Sequence, residues 1–291
     1  MTTFEHFVIT RFNVKLNDGL LNNKGNDPDW LTERFKLFDT FCYPSLLSQT
    51  NQRFKWIVLF DDGTPERFRE RALSYVKWKN YNPEFVNFAL HEETGCPPGL
   101  ISIIEKHVSS NPRFLITTRI DNDDGVCKDF IRIVQNQFRS QDAEAIVFPL
   151  GYQLYQSNLH LDYSMGNHFV SLIEKFQPGS LYTVFVKPHD RLYQVAPVRK
   201  VFCRPTWLEV VHGGNIANRP NNGLVVSPGA FRSNFSVGEA PFVDDNLLRL
   251  RIRQAKFIAF GAPIYFFKKL INRMKYHGPF SMSSRRSTLK N

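Results

Sequence analysis

The 291-residue sequence predicts an α/β fold, a doubly wound and mostly parallel sheet followed by a basic helical extension. Three observations carry that expectation. Apolar, β-branched runs alternate with segments of helical spacing through the first 150 residues. Two of those runs stop abruptly on aspartates and a glycine, a pattern suited to buried parallel strands that reach a ligand-facing edge. The net charge of +10 is also localised: residues 246–291 hold eleven of the 37 Lys and Arg and none of the 27 Asp and Glu. The rest of the chain is balanced, 26 basic against 27 acidic.

In chain order, residues 7–13 (Phe-Val-Ile-Thr-Arg-Phe-Asn) read as a first strand with Arg11 and Asn13 at its exit. Residues 17–29 are rich in Asn, Gly and Asp and read as a loop. Apolar positions at Leu31, Phe35, Phe38 and Phe41 predict a helix over 30–41, with Asp29 as N-cap and Tyr43-Pro44 as its end. Residues 54–60 (Phe-Lys-Trp-Ile-Val-Leu-Phe) are the clearest strand of the first half and stop on Asp61-Asp62-Gly63-Thr64-Pro65. Thr64 then caps a basic helix reaching Lys79. A strand over 85–90, a turn at 95–99, a helix over 100–108, the main strand over 114–120, a helix over 126–138 and a strand over 145–149 complete the alternation. After Gly151 the pattern loosens. Residues 153–165 are polar and aromatic, 167–176 read as a short helix, 182–186 as a strand ending on Lys187-Pro-His-Asp-Arg191, and 207–211 as a strand leading to His212.

The main strand ends in Asp121-Asn-Asp-Asp-Gly125. In extended chain Asp121 and Asp123 lean the same way, and carboxylate oxygens on a short loop suit a hard divalent cation such as Mn or Mg, which would meet a diphosphate. The alternative is a solvated acidic turn closed by Gly125. Parallel strands end along one edge, so Asp61, Asp62, this cluster and His212 can converge there. As a loop carboxylate, Asp123 is expected to serve a ligand rather than the core. Arg11 and Arg119 stand at strand exits, where forked guanidinium donors suit a diphosphate; Arg119 can equally be a counter-ion to the aspartates.

Several classes are disfavoured. The sequence has neither G-x-x-x-x-G-K-[ST] nor G-x-G-x-x-G, which counts against nucleoside triphosphatases and dinucleotide enzymes. Cys42, Cys96, Cys127 and Cys203 are scattered and imply neither a structural zinc site nor a disulfide framework. The apolar run at 257–267 is shorter than the roughly 20 residues a spanning helix requires. A cytosolic or peripheral protein is expected.

Two motifs together carry a resemblance. The strand ending Asp61-Asp-Gly-Thr64 resembles the Asp-Asp-Gly-Ser motif of GT-A-fold glycosyltransferases, and Ile120-Asp-Asn-Asp-Asp124 is similar to their D-x-D motif. With Trp207-Leu-Glu-Val-Val-His-Gly-Gly-Asn215, the segment 117–125 resembles the putative rhamnosyltransferase family, over most of the chain up to about residue 218. The resemblance implies a GT-A-like, Rossmann-like sheet and transfer of a sugar, rhamnose included, from a nucleoside-diphosphate sugar to a saccharide or lipid-linked acceptor. It implies donor contact by Asp61 or Asp62 at the base or ribose, metal and diphosphate contact by Asp121 and Asp123, and a later metal or phosphate contact by His212. The family's Glu-Asp base motif has its nearest counterpart in His189-Asp190, where His replaces Glu, so Asp190 is the candidate base and Glu209 the second.

The expected organisation is a nucleotide-sugar half over 1–150, an acceptor-side half over 151–245 and a basic amphipathic extension over 246–291. That extension suits an anionic membrane surface better than nucleic acid, or else packs on the body by its apolar side. A metal-dependent nucleotidyltransferase or phosphohydrolase, and a non-catalytic carbohydrate- or membrane-binding module, are the competing functions.

Overall fold

The computed structural model describes residues 3–15, 24–90, 96–109, 111–213, 220, 223–239, 242–243 and 246–276, the side chains of 272–276 excepted. Parts of the expected loop at 17–29, Gly95 of the expected turn, Gly214 and Asn215 after His212, and the Ser/Arg/Lys-rich end lie outside the described residues.

Among the described residues, twelve strands form two sheets: β1 Phe4–Arg11, β2 Lys55–Asp61, β3 Tyr81–Val86, β4 Phe114–Arg119, β5 Gly125–Val126, β6 Ala143–Val147, β7 Leu150–Tyr155, β8 Asn158–Tyr163, β9 Val170–Lys175, β10 Val198–Lys200, β11 Trp207–Val211 and β12 Leu224–Val225. The larger sheet has the order β10-β6-β9-β4-β1-β2-β3, and the smaller β12-β8-β7-β11-β5. β4, β1, β2 and β3 run parallel, and β9 alone is antiparallel to its neighbours β4 and β6. The α-helices are α1 Pro28–Leu37, α2 Tyr43–Leu47, α3 Glu66–Ser74, α4 Pro98–His107, α5 Phe130–Gln135, α6 Pro228–Asn234, α7 Leu247–Lys256 and α8 Ala262–Tyr276.

Strand alternation splits the core into two layers. Val8, Trp56, Val58, Phe60 and Ile116 point to one face, where Leu31, Phe35, Phe68, Phe130 and Val134 of α1, α3 and α5 cover them. Phe7, Ile9, Ile57, Leu59 and Leu115 point to the other, under Leu100 and Ile104 of α4. Both faces are therefore dry, which is why these strands read as continuous apolar runs, and the mixed α/β architecture with a mostly parallel central sheet is the one expected.

Several local expectations are corrected. Asp27, not Asp29, caps α1: its carboxylate accepts from the N–H groups of Asp29 and Trp30. Tyr43-Pro44 does not end the helix. A π turn over Phe38–Cys42 carries the chain into α2, with the Tyr43 N–H bonded to Phe38 O. Pro44 has no N–H to offer Thr40 O, and Gly238 donates to that carbonyl instead at 2.6 Å. Thr64 does not cap α3; its hydroxyl bonds back to Asp61 O, and Pro65 holds the cap position. The third strand is Tyr81–Val86, earlier than expected.

After Gly151 the loosened stretch is a hairpin, β7 and β8, joined by Gln156 and Ser157 at φ +47° and +63°. That turn lacks the Gly or Asn such φ values favour, so the sequence hid it. Gly151 is required where it stands: a Cβ there would lie 2.0 Å from the Trp207 ring. Residues 167–176 are not helical. They supply β9, wedged between β4 and β6, because Val170–Glu174 is buried on both faces. Residues 182–186 form no strand; Glu174 takes the N–H groups of Tyr182 and Thr183, with Thr183 at φ +58°.

Candidate functional site

Register brings three strand exits to one edge. Ile9 pairs with Arg119 and Arg11 with Leu59, so Arg11, Asp61 and the segment after Arg119 leave the sheet side by side. Asn13 ties the exits together: its Nδ2 reaches Gly25 O, Asn26 Oδ1 and Thr64 Oγ1 at 2.9–3.0 Å, while its Oδ1 accepts from the Asp61 N–H at 3.1 Å. Asp61 is 2% exposed. Its Oδ1 accepts from Gly63 N–H and Asn26 Nδ2, whereas its buried Oδ2 has no hydrogen-bond donor among the described residues, the Lys15 ammonium standing 3.3 Å away. Asp62, the next residue, is exposed, as strand alternation requires.

The aspartate loop is a turn, with Asp124 N–H bonded to Asp121 O at 3.3 Å. The expected alternation therefore fails, and Asp121 and Asp123 part. Asp121 is held by Arg119 through two contacts of 3.1 Å, with Arg11 3.6 Å away. Burial pushes the Asp121 carboxyl up, but the Arg119 and Arg11 charges outweigh it and hold it well below the usual carboxylate range. The Arg11 and Arg119 guanidiniums also stand over the Phe185 ring, at 5.6 and 5.9 Å.

Asp123 points the other way. Its Oδ2 receives Arg34 Nη1 at 2.7 Å and stands 3.0 Å from His212 Nε2. Burial raises it, but the His212 hydrogen bond and the Arg34 charge bring it below its ordinary value. Asn122 fixes the turn, accepting from Arg34 and donating to Phe12 O. At 5% exposure Asp123 belongs to the core as much as to a ligand, which corrects the expectation drawn from its loop position.

Asp124 is fully buried between β11 and His168: Val210 N–H donates to Oδ1 at 2.9 Å, and His168 Nε2 lies 2.7 Å from Oδ2. Burial and the neighbouring Asp123 push Asp124 up to about 7. Burial works against the charged imidazole of His168, but the Asp124 hydrogen bond and charge prevail and raise it to about 9. The His189 ring lies 6.1 Å from that of His168, its buried Nδ1 without a hydrogen-bond partner among the described residues. Burial, then the Arg119 and His168 charges, hold His189 in its neutral form.

Of the two candidate bases, Asp190 lies half-buried in the 3₁₀ turn His189–Gln194. Glu209 on β11 is half-buried opposite Gln153 of β7, which donates to its Oε2 at 2.5 Å. Burial raises the Glu209 carboxyl, and its charge is felt by both Asp124 and His168, so Glu209 stands with the aspartate cluster.

Sequence reading missed Arg34 and His168. Arg34 carried a signal: it lies three residues after Leu31 and four before Phe38, a charge on the apolar face of a helix. His168 had none, since its segment was read as helix.

A divalent cation fits this donor set. Two ligands about 2.1 Å from one ion at right angles lie about 3 Å apart, the separation of Asp123 Oδ2 from His212 Nε2. Asp121, Asp124 and His168 also offer ligand atoms within 4.8 Å of one another. Asp124 is already taken by Val210 and His168, and Asp123 Oδ2 by Arg34 and His212, so a cation at either carboxylate displaces a contact that the side chain now makes.

The sequence matches the family described as Putative rhamnosyl transferase over residues 23–223. No curated protein matches it. Among solved structures, S. aureus TarS 1-349 is 11% identical, with a TM-score of 0.41 over 71% of this chain and 60% of that one. The same TarS segment in complex with UDP-GlcNAc is 13% identical, with a TM-score of 0.44 over 87% of this chain and 71% of that one. The inositol-1-phosphate CTP transferase from T. maritima is 10% identical, with a TM-score of 0.36 over 74% and 93%. The chain thus spans less than two thirds of the first of these, and likenesses of this looseness say nothing of what it binds.

Proposed function

Because the chain belongs to the putative rhamnosyl transferase family, we propose that it is a glycosyltransferase that takes a sugar, rhamnose first among the choices, from a nucleoside-diphosphate sugar with a divalent cation at Asp123 and His212. The observation that supports this most is the meeting of two residues 89 positions apart, Asp123 and His212, beside the exits of β1, β2 and β4. Asp61 has a buried carboxylate oxygen with no hydrogen bond among the described residues, the Lys15 ammonium standing 3.3 Å from it, and that oxygen is a place for a hydroxyl or amino hydrogen of the nucleotide. Arg11 and Arg119 carry forked donors at the same edge, aligned by Asp121 and Phe185 for a diphosphate.

When bound, the cation supplies positive charge against the diphosphate as it departs. The chain's own residues do the rest. Glu209, whose carboxyl is raised by burial, accepts the proton of the acceptor hydroxyl as that oxygen bonds to the sugar carbon and the carbon–phosphate-oxygen bond breaks. A raised carboxyl makes the stronger base, and Glu209 is the candidate that stands with the aspartate cluster. Asp124 and His168 hold β11, and so Glu209, against the aspartate loop.

The test is calorimetric titration with UDP, GDP and dTDP, with and without Mn. One of them binds in the presence of Mn and at least tenfold more weakly without it, and Asp61→Ala weakens that binding further. No binding of any of the three with Mn present would contradict the proposal.

A further inference from the structure

We propose that the C-terminal helix docks this chain on an anionic lipid bilayer, independently of the reaction its sheet edge performs. The helix runs through α7, a π turn at Phe257–Gly261 and α8, and polar contacts tie it to β8 and β12. The Tyr265 hydroxyl donates to Asp162 Oδ1 at 2.7 Å and accepts from Tyr163 N–H; Lys269 lies 3.0 Å from Asp162. Arg253 bonds Asn158, and Gln254 bonds Val225 O. Among the described residues of the extension, Leu250 and Tyr265 are the large apolar side chains that are buried.

The opposite side is apolar and open. Phe260, Ile264, Phe267 and Ile271 follow the i, i+4, i+7, i+11 spacing of one helical stripe, with Phe260 75% and Phe267 62% exposed. Leu247, Leu248 and Ile258 are likewise more than half exposed. An apolar patch of this extent is a docking surface. Lys256 stands one turn before Phe260, and Lys268 one turn after Ile264.

Charge selects the occupant. A second copy of this chain would bring one all-cationic extension against another, with eleven basic and no acidic residues on each side. An anionic bilayer takes both features, phenyl and aliphatic groups in the acyl boundary and ammonium groups among the headgroup charges. No described helix is long and apolar enough to cross a membrane, so the geometry is that of a helix lying in the interface. Its anchor β8 is joined through β7 to β11, so docking would hold Glu209 about 10 Å, two strand spacings, from the anchored strand.

The full chain is sedimented with phosphatidylcholine vesicles with and without phosphatidylglycerol, at low and high salt. It pellets with the anionic vesicles, and added salt releases it. Phe260→Ser/Phe267→Ser binds roughly a hundredfold more weakly, about tenfold for each phenyl withdrawn from the acyl region, with its thermal transition unchanged. Should that variant unfold, Lys256→Gln/Lys268→Gln reads the charge half of the same question. Retention in the supernatant with anionic vesicles at low salt, equal binding to neutral vesicles, or unchanged binding of a folded variant overturns the proposal. So does self-association of the chain that Phe260→Ser/Phe267→Ser abolishes, which would give the face to a second copy.

Discussion

His212 Nε2, one residue past the end of β11, lies 3.0 Å from Asp123 Oδ2 in the aspartate turn after β4. The same carboxylate oxygen receives the buried Arg34 guanidinium at 2.7 Å. One atom thus serves the packing of α1 and the proposed cation. Cation binding in place of the Arg34 contact is a competition between positive charges.

Asp123→Asn tests that double duty. The amide keeps the size of the side chain but removes the charge that faces Arg34, so the variant loses about 2–3 kcal/mol of stability, below the usual cost of breaking a buried pair because the hydrogen bond to Asn122 remains. Chemical denaturation reads that loss, and calorimetry reads loss of Mn-dependent nucleotide binding in the folded variant. Full retention of both would remove Asp123 from the account.

Glu209→Gln lowers turnover by a hundredfold or more with donor affinity within about threefold of wild type, because a base acts on the acceptor and not on the diphosphate. Asp190→Asn has a small effect on both. The reverse pattern in the two variants would move the base to Asp190.

Legibility in the sequence followed local chemistry. The strands β2 and β4 and their aspartate exits were readable because both faces are buried and the runs end on charge. The hairpin β7–β8 was not, because its turn uses Gln156 and Ser157 at positive φ, and β9 was not, because tertiary burial on both faces overrode an apparent helical spacing. In the site, Asp61 and His212 were visible at strand ends. The separation of Asp121 from Asp123 depends on a turn that extended-chain reasoning does not contain, and His168 reaches Asp124 from a segment 44 residues on.

The Asp124–His168 pair sets a pH dependence of stability. Asp124 is raised from 3.8 to about 7 and His168 from 6.5 to about 9, so in both cases the folded chain keeps a proton that the unfolded chain has released. Stability from Asp124 is lost as pH rises between about 4 and 7, and from His168 between about 6.5 and 9. Thermal unfolding of wild type and of Asp124→Asn/His168→Gln across this range therefore converges as pH rises. A margin that widens as pH rises from about 6.5 to 9 would contradict the pairing, because there the Asp124 contact is what raises His168.

Arg119→Lys exchanges a two-pronged grip on Asp121 for a point charge and loses forked contact with a diphosphate. Donor KM rises about tenfold, the equivalent of one charge-assisted hydrogen bond, with kcat changed less. An unchanged KM would assign Arg119 to Asp121 alone.

The most direct measurement is release of nucleoside diphosphate from a panel of nucleotide sugars, dTDP-rhamnose among them, with Mn and no acceptor. Slow, Mn-dependent hydrolysis of one donor is expected, diminished in Asp61→Ala and Asp123→Asn. Absence of release from every donor, with no diphosphate binding by calorimetry, would contradict the proposed function.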